Sequence, residues 1–213
     1  MKLTIIYDNE AAKPNLHADW GFSCVVEVED APRILFDTGA SGKILLSNMR
    51  KLHIDPTTIQ EVVISHDHWD HIGGLTDIII ENPDVKVYLP VSCPKMYDAK
   101  EVVMVKEPLQ LHDNVFSTGE IAGIEQSLVV DTPKGLVVLA GCSHSGVGNI
   151  LEAAKRHGNP YALIGGLHGF IDFPLLETLD LVCPCHCTKH MDEIHSRYPS
   201  KWISGGVGKQ III

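Results

Sequence analysis

Between an apolar run, Glu61-Val62-Val63-Ile64-Ser65, and a stretch with apolar residues at helical spacing, Ile72 to Ile80, the chain reads His66-Asp67-His68-Trp69-Asp70-His71. That succession predicts a strand, a turn and a helix, with the six residues on the turn, where a rigid scaffold presents reactive groups. In an extended stretch His66 and His68 point the same way. Asp70 and His71 fall where the helix begins and reach the same volume from another side. A lone loop histidine is usually solvated, and an Asp beside it usually caps a helix. Three histidines and two aspartates within six residues point instead to a metal site. Imidazoles with a carboxylate suit zinc, one or two ions per chain, and also iron or manganese. Asp67 points away from its neighbours and reads as a helix cap or a support for a ligand's second nitrogen.

At 213 residues and 45% hydrophobic, the chain can bury one sizeable core, which predicts a single domain over 1–213. No apolar stretch approaches the length of a bilayer span, and the start, Met1-Lys2-Leu3-Thr4-Ile5-Ile6-Tyr7, reads as a strand rather than a signal peptide. The expected location is therefore cytoplasmic, without a membrane partner. Six cysteines fit reduced thiols better than a disulfide framework: Cys24, Cys93 and Cys142 are scattered, and Cys183, Cys185 and Cys187 are too close to staple distant segments. A formal charge of -10 and the absence of any Lys/Arg cluster argue against a nucleic-acid partner. They leave room for a small anionic substrate, because bound dications would dominate the local field.

Apolar runs and alternation predict strands over 2–7, 23–29, 33–37, 61–65, 85–90, 101–105, 114–117, 127–131, 136–141, 161–165, 181–184 and 201–204. Helical spacing predicts helices near 40–52, 71–81, 147–157, 174–179 and 189–197. Strands interleaved with helices in this way make a layered α/β protein with mixed sheets.

Two strand ends supply further donors. His144 lies in Gly141-Cys142-Ser143-His144-Ser145-Gly146, after the apolar run from Leu136 to Ala140, and His186 lies in Pro184-Cys185-His186-Cys187-Thr188. Both are read as metal ligands with His66, His68, Asp70 and His71. Cys142 is an alternative thiolate ligand, or a small buried residue behind the turn. His168, in Gly165-Gly166-Leu167-His168, follows paired glycines that let backbone approach a ligand; it is read as a pocket residue, a ligand or an acid/base group. Alternation along an extended strand sends Cys183, Cys185 and Cys187 away from His186, so no separate site is expected there. His17, His53, His112, His157, His190 and His195 are read as solvated or capping.

The spacing H-x-H-x-D-H after a strand resembles the metallo-β-lactamase superfamily, and the flanking elements extend the resemblance over nearly the whole chain. It implies an αββα sandwich of two mixed sheets flanked by helices, with metals held by loops at one edge. Ile34-Leu35-Phe36-Asp37-Thr38-Gly39 looks like the family's early strand-and-turn motif, which implies that Asp37 braces the metal-binding loops. Two departures stand out: Ser117-Thr118-Gly119-Glu120 lacks the family's histidine, and Cys142 stands where a bridging Asp is usual. His144 is read as replacing the missing donor. Trp20-Gly21-Phe22-Ser23, Glu125-Gln126-Ser127-Leu128, Gly141-Cys142-Ser143-His144, Gly165-Gly166-Leu167-His168 and Pro184-Cys185-His186-Cys187-Thr188 resemble the branch named for an archaeal dihydropterin-ribofuranosylaminobenzene-phosphate synthase.

The expected activity is a metal-dependent hydrolase acting on a small anionic molecule through a metal-bound hydroxide, with Asp70 or His168 moving a proton to the leaving group. The rivals are a transferase like that synthase, acting on a pterin diphosphate, and a non-catalytic metal or redox sensor built on Cys142 and the 183–187 stretch.

Overall fold

Runs such as Leu136-Val137-Val138-Leu139-Ala140 are apolar at every position, the pattern of strands covered on both faces. The computed structural model, which describes residues 1–93 and 97–213, pairs them into two mixed sheets. The first contains β1 (Lys2–Tyr7), β2 (Ser23–Glu27), β3 (Ile34–Phe36), β4 (Glu61–Val63), β5 (Lys86–Pro90), β6 (Glu101–Val105) and β13 (Gln210–Ile212), in the order β13-β1-β2-β3-β4-β5-β6. The second contains β7 (Leu109–His112), β8 (Val115–Ser117), β9 (Leu128–Thr132), β10 (Gly135–Ala140), β11 (Pro160–Gly166) and β12 (Leu181–Cys185), in the order β12-β11-β10-β9-β8-β7. Strands β3 to β6 are parallel, as are β10 to β12, and the other pairs are antiparallel.

Alternation sorts the side chains into three layers. Phe22, Cys24, Ile34 and Phe36 meet Leu128, Val137, Leu139 and Ile164 between the sheets. The outward residues Val25, Leu35 and Val62 pack on α1 (Gly42–Lys51) and α3 (Leu75–Glu81) through Leu45, Met49, Ile78 and Ile79. Val138, Leu163 and Val182 pack on α4 (Val147–Ala154) and α5 (Met191–Arg197) through Ile150, Leu151 and Ile194. Each such Val, Leu, Ile or Phe contributes roughly 1.5–3 kcal/mol through burial. The result is an αββα sandwich, as the family resemblance implies. No helix among the described residues is long and apolar enough to cross a membrane.

Four local expectations are corrected. The helix expected over 71–81 divides into α2 (Trp69–Ile72) and α3 at Gly73-Gly74. Neighbouring backbone causes the break: a Cβ on Gly74 would lie 2.6 Å from the Thr38 carbonyl, and one on Gly73 would strike that of Ala40. The stretch near 174–179 is a 3-10 run, Phe173–Thr178, opened by Pro174. The expected strand at 201–204 is a single bridge from Trp202 to Val182. Strands β7 and β13 had no counterpart in the pattern.

Gln126 locks one sheet to the other. Fully buried, its Nε2 donates to the Ile64 carbonyl beyond β4 at 2.9 Å, while its Oε1 accepts from Ser117 Oγ of β8 at 2.6 Å. Gln126→Leu leaves the Ile64 carbonyl buried and unpaired and takes the acceptor away from the Ser117 hydroxyl, so it should lower unfolding free energy by about 2–3 kcal/mol in urea titrations. Lys100→Ala, which removes an exposed ion pair, should change it by less than about 0.5 kcal/mol.

Candidate metal centre

The parallel strands all deliver their carboxyl ends to one edge, the usual place for a ligand in an open α/β sheet. Asp37 follows β3, His66 to His71 follow β4, Cys142 and His144 follow β10, His168 follows β11 and His186 follows β12. Four of the residues on these ends, Asp37, Ser143, His168 and His186, adopt left-handed backbone with φ between +46° and +58°. Such conformations cost about 1–3 kcal/mol each in non-glycine residues and cluster at functional sites.

Hydrogen bonds fix which imidazole nitrogen faces inward. Asp37, completely buried, accepts from Ser65 N and Ser65 Oγ at 2.7 Å each, and its Oδ2 lies 2.7 Å from His71 Nδ1. His71 therefore carries its proton on Nδ1, and its Nε2 lone pair faces the site. Because Ser65 Oγ donates to Asp37, it accepts from His66 Nδ1, 2.8 Å away, so His66 also presents Nε2. At His186 the same role falls to Asn9: Nδ1 lies 2.9 Å from Asn9 Oδ1, and Asp8 accepts from the His186 backbone N–H at 2.9 Å.

The inward atoms form contiguous groups. His66, His68 and His144 offer ligand atoms all within 4.8 Å of one another, and so do Asp70, His71 and His186. Cys142 joins His66 and His71 at the same spacing. His144 Nε2 and His186 Nε2 are buried without a hydrogen-bond partner, although His186 Nε2 lies 3.2 Å from Asp70 Oδ2. A buried nitrogen left unpaired costs about 1–3 kcal/mol. A cation between these donors would remove that cost, so the donor set fits a divalent metal.

The electrostatics agree with ligation. Burial, then repulsion from His71, His68 and His144, holds the His66 pKa far below the usual imidazole value. Burial and the charge of His186 do the same for His71, and burial and His68 for His144. All three rings are thus neutral near pH 7 with lone pairs free. Burial raises the Asp70 pKa, but the close approach of His186 and the other nearby imidazoles outweigh it and hold the carboxyl ionised. Asp70 Oδ2 also accepts from Trp20 Nε1 at 2.8 Å.

The structure thus brings His66, His68, Asp70, His71, His144 and His186 together, with His168 at the rim, its ring centre 4.9 Å from that of His144. Asp67 is exposed and outside the cluster. Cys187 corrects the sequence reading: the strand ends at Cys185, His186 turns left-handed, and Cys187 comes round to Cys142 and His186. His112 is not merely solvated but pairs with Glu61 at 2.8 Å, and His157 stacks on Phe116 at 4.1 Å. Asp8, Asn9 and Ser65, which the sequence reading passed over, hold the ligand-bearing turns. Glu125 braces the His144 turn by accepting from Ser145 N at 2.6 Å. For Asp8, Asn9 and Ser65 the one sequence signal is polarity directly after an apolar strand.

Comparison with known proteins agrees with this geometry. The family signature of the metallo-β-lactamase superfamily matches residues 21–151. The chain belongs to that superfamily. Over 79% of its length it is 27% identical to the 7,8-dihydropterin-6-methyl-4-(β-D-ribofuranosyl)-aminobenzene-5'-phosphate synthase of Methanocaldococcus jannaschii, covering 80% of that protein. It is 26% identical to the ribonuclease Z of Aeropyrum pernix over 83% of this chain and 54% of that one. A solved structure described as a metal-dependent hydrolase of the β-lactamase superfamily superposes with a TM-score of 0.82 at 26% identity, covering 100% of this chain and 99% of the other. Metallo-β-lactamase members are often metal-dependent hydrolases.

Within this member of the superfamily, burial pushes the Asp37 carboxyl up to about 8, and the Ser65 donors pull it back. Asp37→Asn tests its bracing role, since Asn tolerates the same left-handed backbone but loses the charge. Cation affinity in a chelator competition should fall about 10–100-fold while the far-UV circular dichroism stays unchanged.

Proposed function

We propose that this metallo-β-lactamase-fold protein is a zinc-dependent hydrolase of a small anionic molecule. The observation that carries the reading is the convergence of His66, His71, His144 and His186 on one volume, with three of these rings tied by their other nitrogen. In this reading His66, His68 and His144 hold one cation and Asp70, His71 and His186 a second. When bound, such ions supply Lewis acidity toward a carbonyl or phosphoryl oxygen and a nucleophilic water near neutral pH.

The chain's own residues do the rest. Asp70, kept ionised and already accepting from Trp20, holds charge rather than giving up a proton. That leaves His168, exposed at the rim beside His144, as the group that protonates the leaving group. A cleft of about 250 Å³ lined by Ser143, Val147, Leu167, His168 and Phe170 receives the apolar part of the substrate. The net charge of -10 supports a small molecule over a nucleic acid, whose phosphates the protein surface would repel.

A second reading, group transfer from a pterin diphosphate, is favoured by the 27% identity to the archaeal synthase. Release of diphosphate from a pterin substrate only when an aromatic amine is present would select it over hydrolysis.

For the hydrolase, metal-stripped protein reloaded with zinc is assayed on small phosphoesters and carboxylic esters. His66→Ala should lower kcat/KM by more than about a hundredfold, beyond the loss typical of a residue that only supports a ligand. His168→Ala should lower kcat while leaving metal content intact. Turnover that survives in metal-free protein, or in His66→Ala, overturns the reading.

A further inference from the structure

Sulfur forms the inner wall of the centre. Cys142 Sγ lies 3.1 Å from His71 Nε2. Cys142, His186 and Cys187 present ligand atoms all within 4.8 Å of one another. The two thiols follow β10 and β12, which are separated by β11. Gly166 of β11 is what lets them meet: a Cβ there would lie 2.7 Å from Cys187 Sγ and 3.2 Å from Cys142 Cα.

We propose that Cys142 and Cys187 are a pair of thiolate donors to the cation at the inner cluster, where they share it with Asp70, His71 and His186. The inference deepens the two-cation reading above and rests on it. His186 carries it furthest. Its side chain is completely buried, its ring is tied through Nδ1 to Asn9, and its Nε2 makes no hydrogen bond although it faces Asp70 and lies beside both sulfurs.

Buried cysteines are often no more than small apolar groups, and this chain supplies that comparison internally. Cys183 and Cys185 lie 3.8 Å apart in the apolar layer between the sheets, in one cluster with Cys24, and belong to none of the candidate ligand groups among the described residues. Cys142 and Cys187 instead face a ring of histidines. Asp70 is the one carboxylate in these ligand groups among the described residues, and its Oδ2 lies 3.2 Å from His186 Nε2, so sulfur adds anionic charge to what Asp70 brings to the inner cation. On coordination each thiol releases its proton to the solvent buffer. Thiolates favour zinc, cadmium or copper(I) over manganese or magnesium, which prefer oxygen. The pair therefore makes this site selective for thiophilic cations.

The test uses the full-length, reduced, metal-stripped protein titrated with cobalt(II). Thiolate ligation gives a near-ultraviolet sulfur-to-cobalt charge-transfer band. That band should drop about two-fold in Cys187→Ser and again in Cys142→Ser, and should be unchanged in Cys24→Ala. X-ray absorption on zinc-loaded wild-type protein should show a sulfur shell at about 2.3 Å beside nitrogen and oxygen at about 2.0–2.1 Å. That measurement needs no variant to fold. Bound cobalt without the band, or a zinc shell of nitrogen and oxygen alone, overturns the sulfur proposal and leaves the histidine reading standing. A band of undiminished intensity in Cys187→Ser overturns the role of that residue. Failure of the stripped protein to bind cobalt or zinc at all overturns both readings.

Discussion

One buried carboxylate, that of Asp37, is the joint between scaffold and chemistry. It accepts from two Ser65 donors and faces His71 Nδ1, so a single group sets the tautomer of His71 directly and that of His66 through Ser65. An ionised carboxylate out of water is stable only when fully paired. The pairing is mutual: the carboxylate orients the imidazole, and positive charge on the far side of the ring would favour the carboxylate's ionised form. Without such charge, burial holds the group near 8. The ligand set and its support are therefore one electrostatic unit.

The sheets make that unit possible. Parallel pairing places the ends of β3 and β4 side by side in one sheet and those of β10, β11 and β12 side by side in the other. Packing the two inner faces brings both rows to a common edge. Gln126 and Glu125 work at the same seam, the first across the sheets and the second beneath the His144 turn. Rigid strands thus carry the donors, and short turns of unusual backbone aim them.

Much of this was legible in the residues. Strands buried on both faces announce themselves as unbroken apolar runs, which is why β1, β4, β10 and β11 could be read. The six residues from His66 to His71 are local and needed no tertiary knowledge. What could not be read depends on distant parts meeting. Leu109-Gln110-Leu111-His112 is too short and mixed to signal β7, and β13 exists only because β1 offers it an edge. The break at Gly73-Gly74 is imposed by backbone from Thr38 and Ala40, which no helical periodicity reports. Cys187 was misread because a strict alternation was extended past Cys185, where the strand ends and a left-handed residue reverses the rule. Asp8 and Asn9 stand about 177 positions from the histidine they hold.

The grip on His186 has a consequence for how β1 and β13 are held together. Asp8 and Asn9 follow directly on β1, and β1 is paired on its outer side with β13, while Asp8 also accepts from Gly206 just upstream of that strand. Fraying of this margin would be felt first at that imidazole, which Asp8 and Asn9 hold directly. Conversely, any ion gripped by that imidazole acts as a clasp, fastening the segments around β1 and β13 by ordinary mass action.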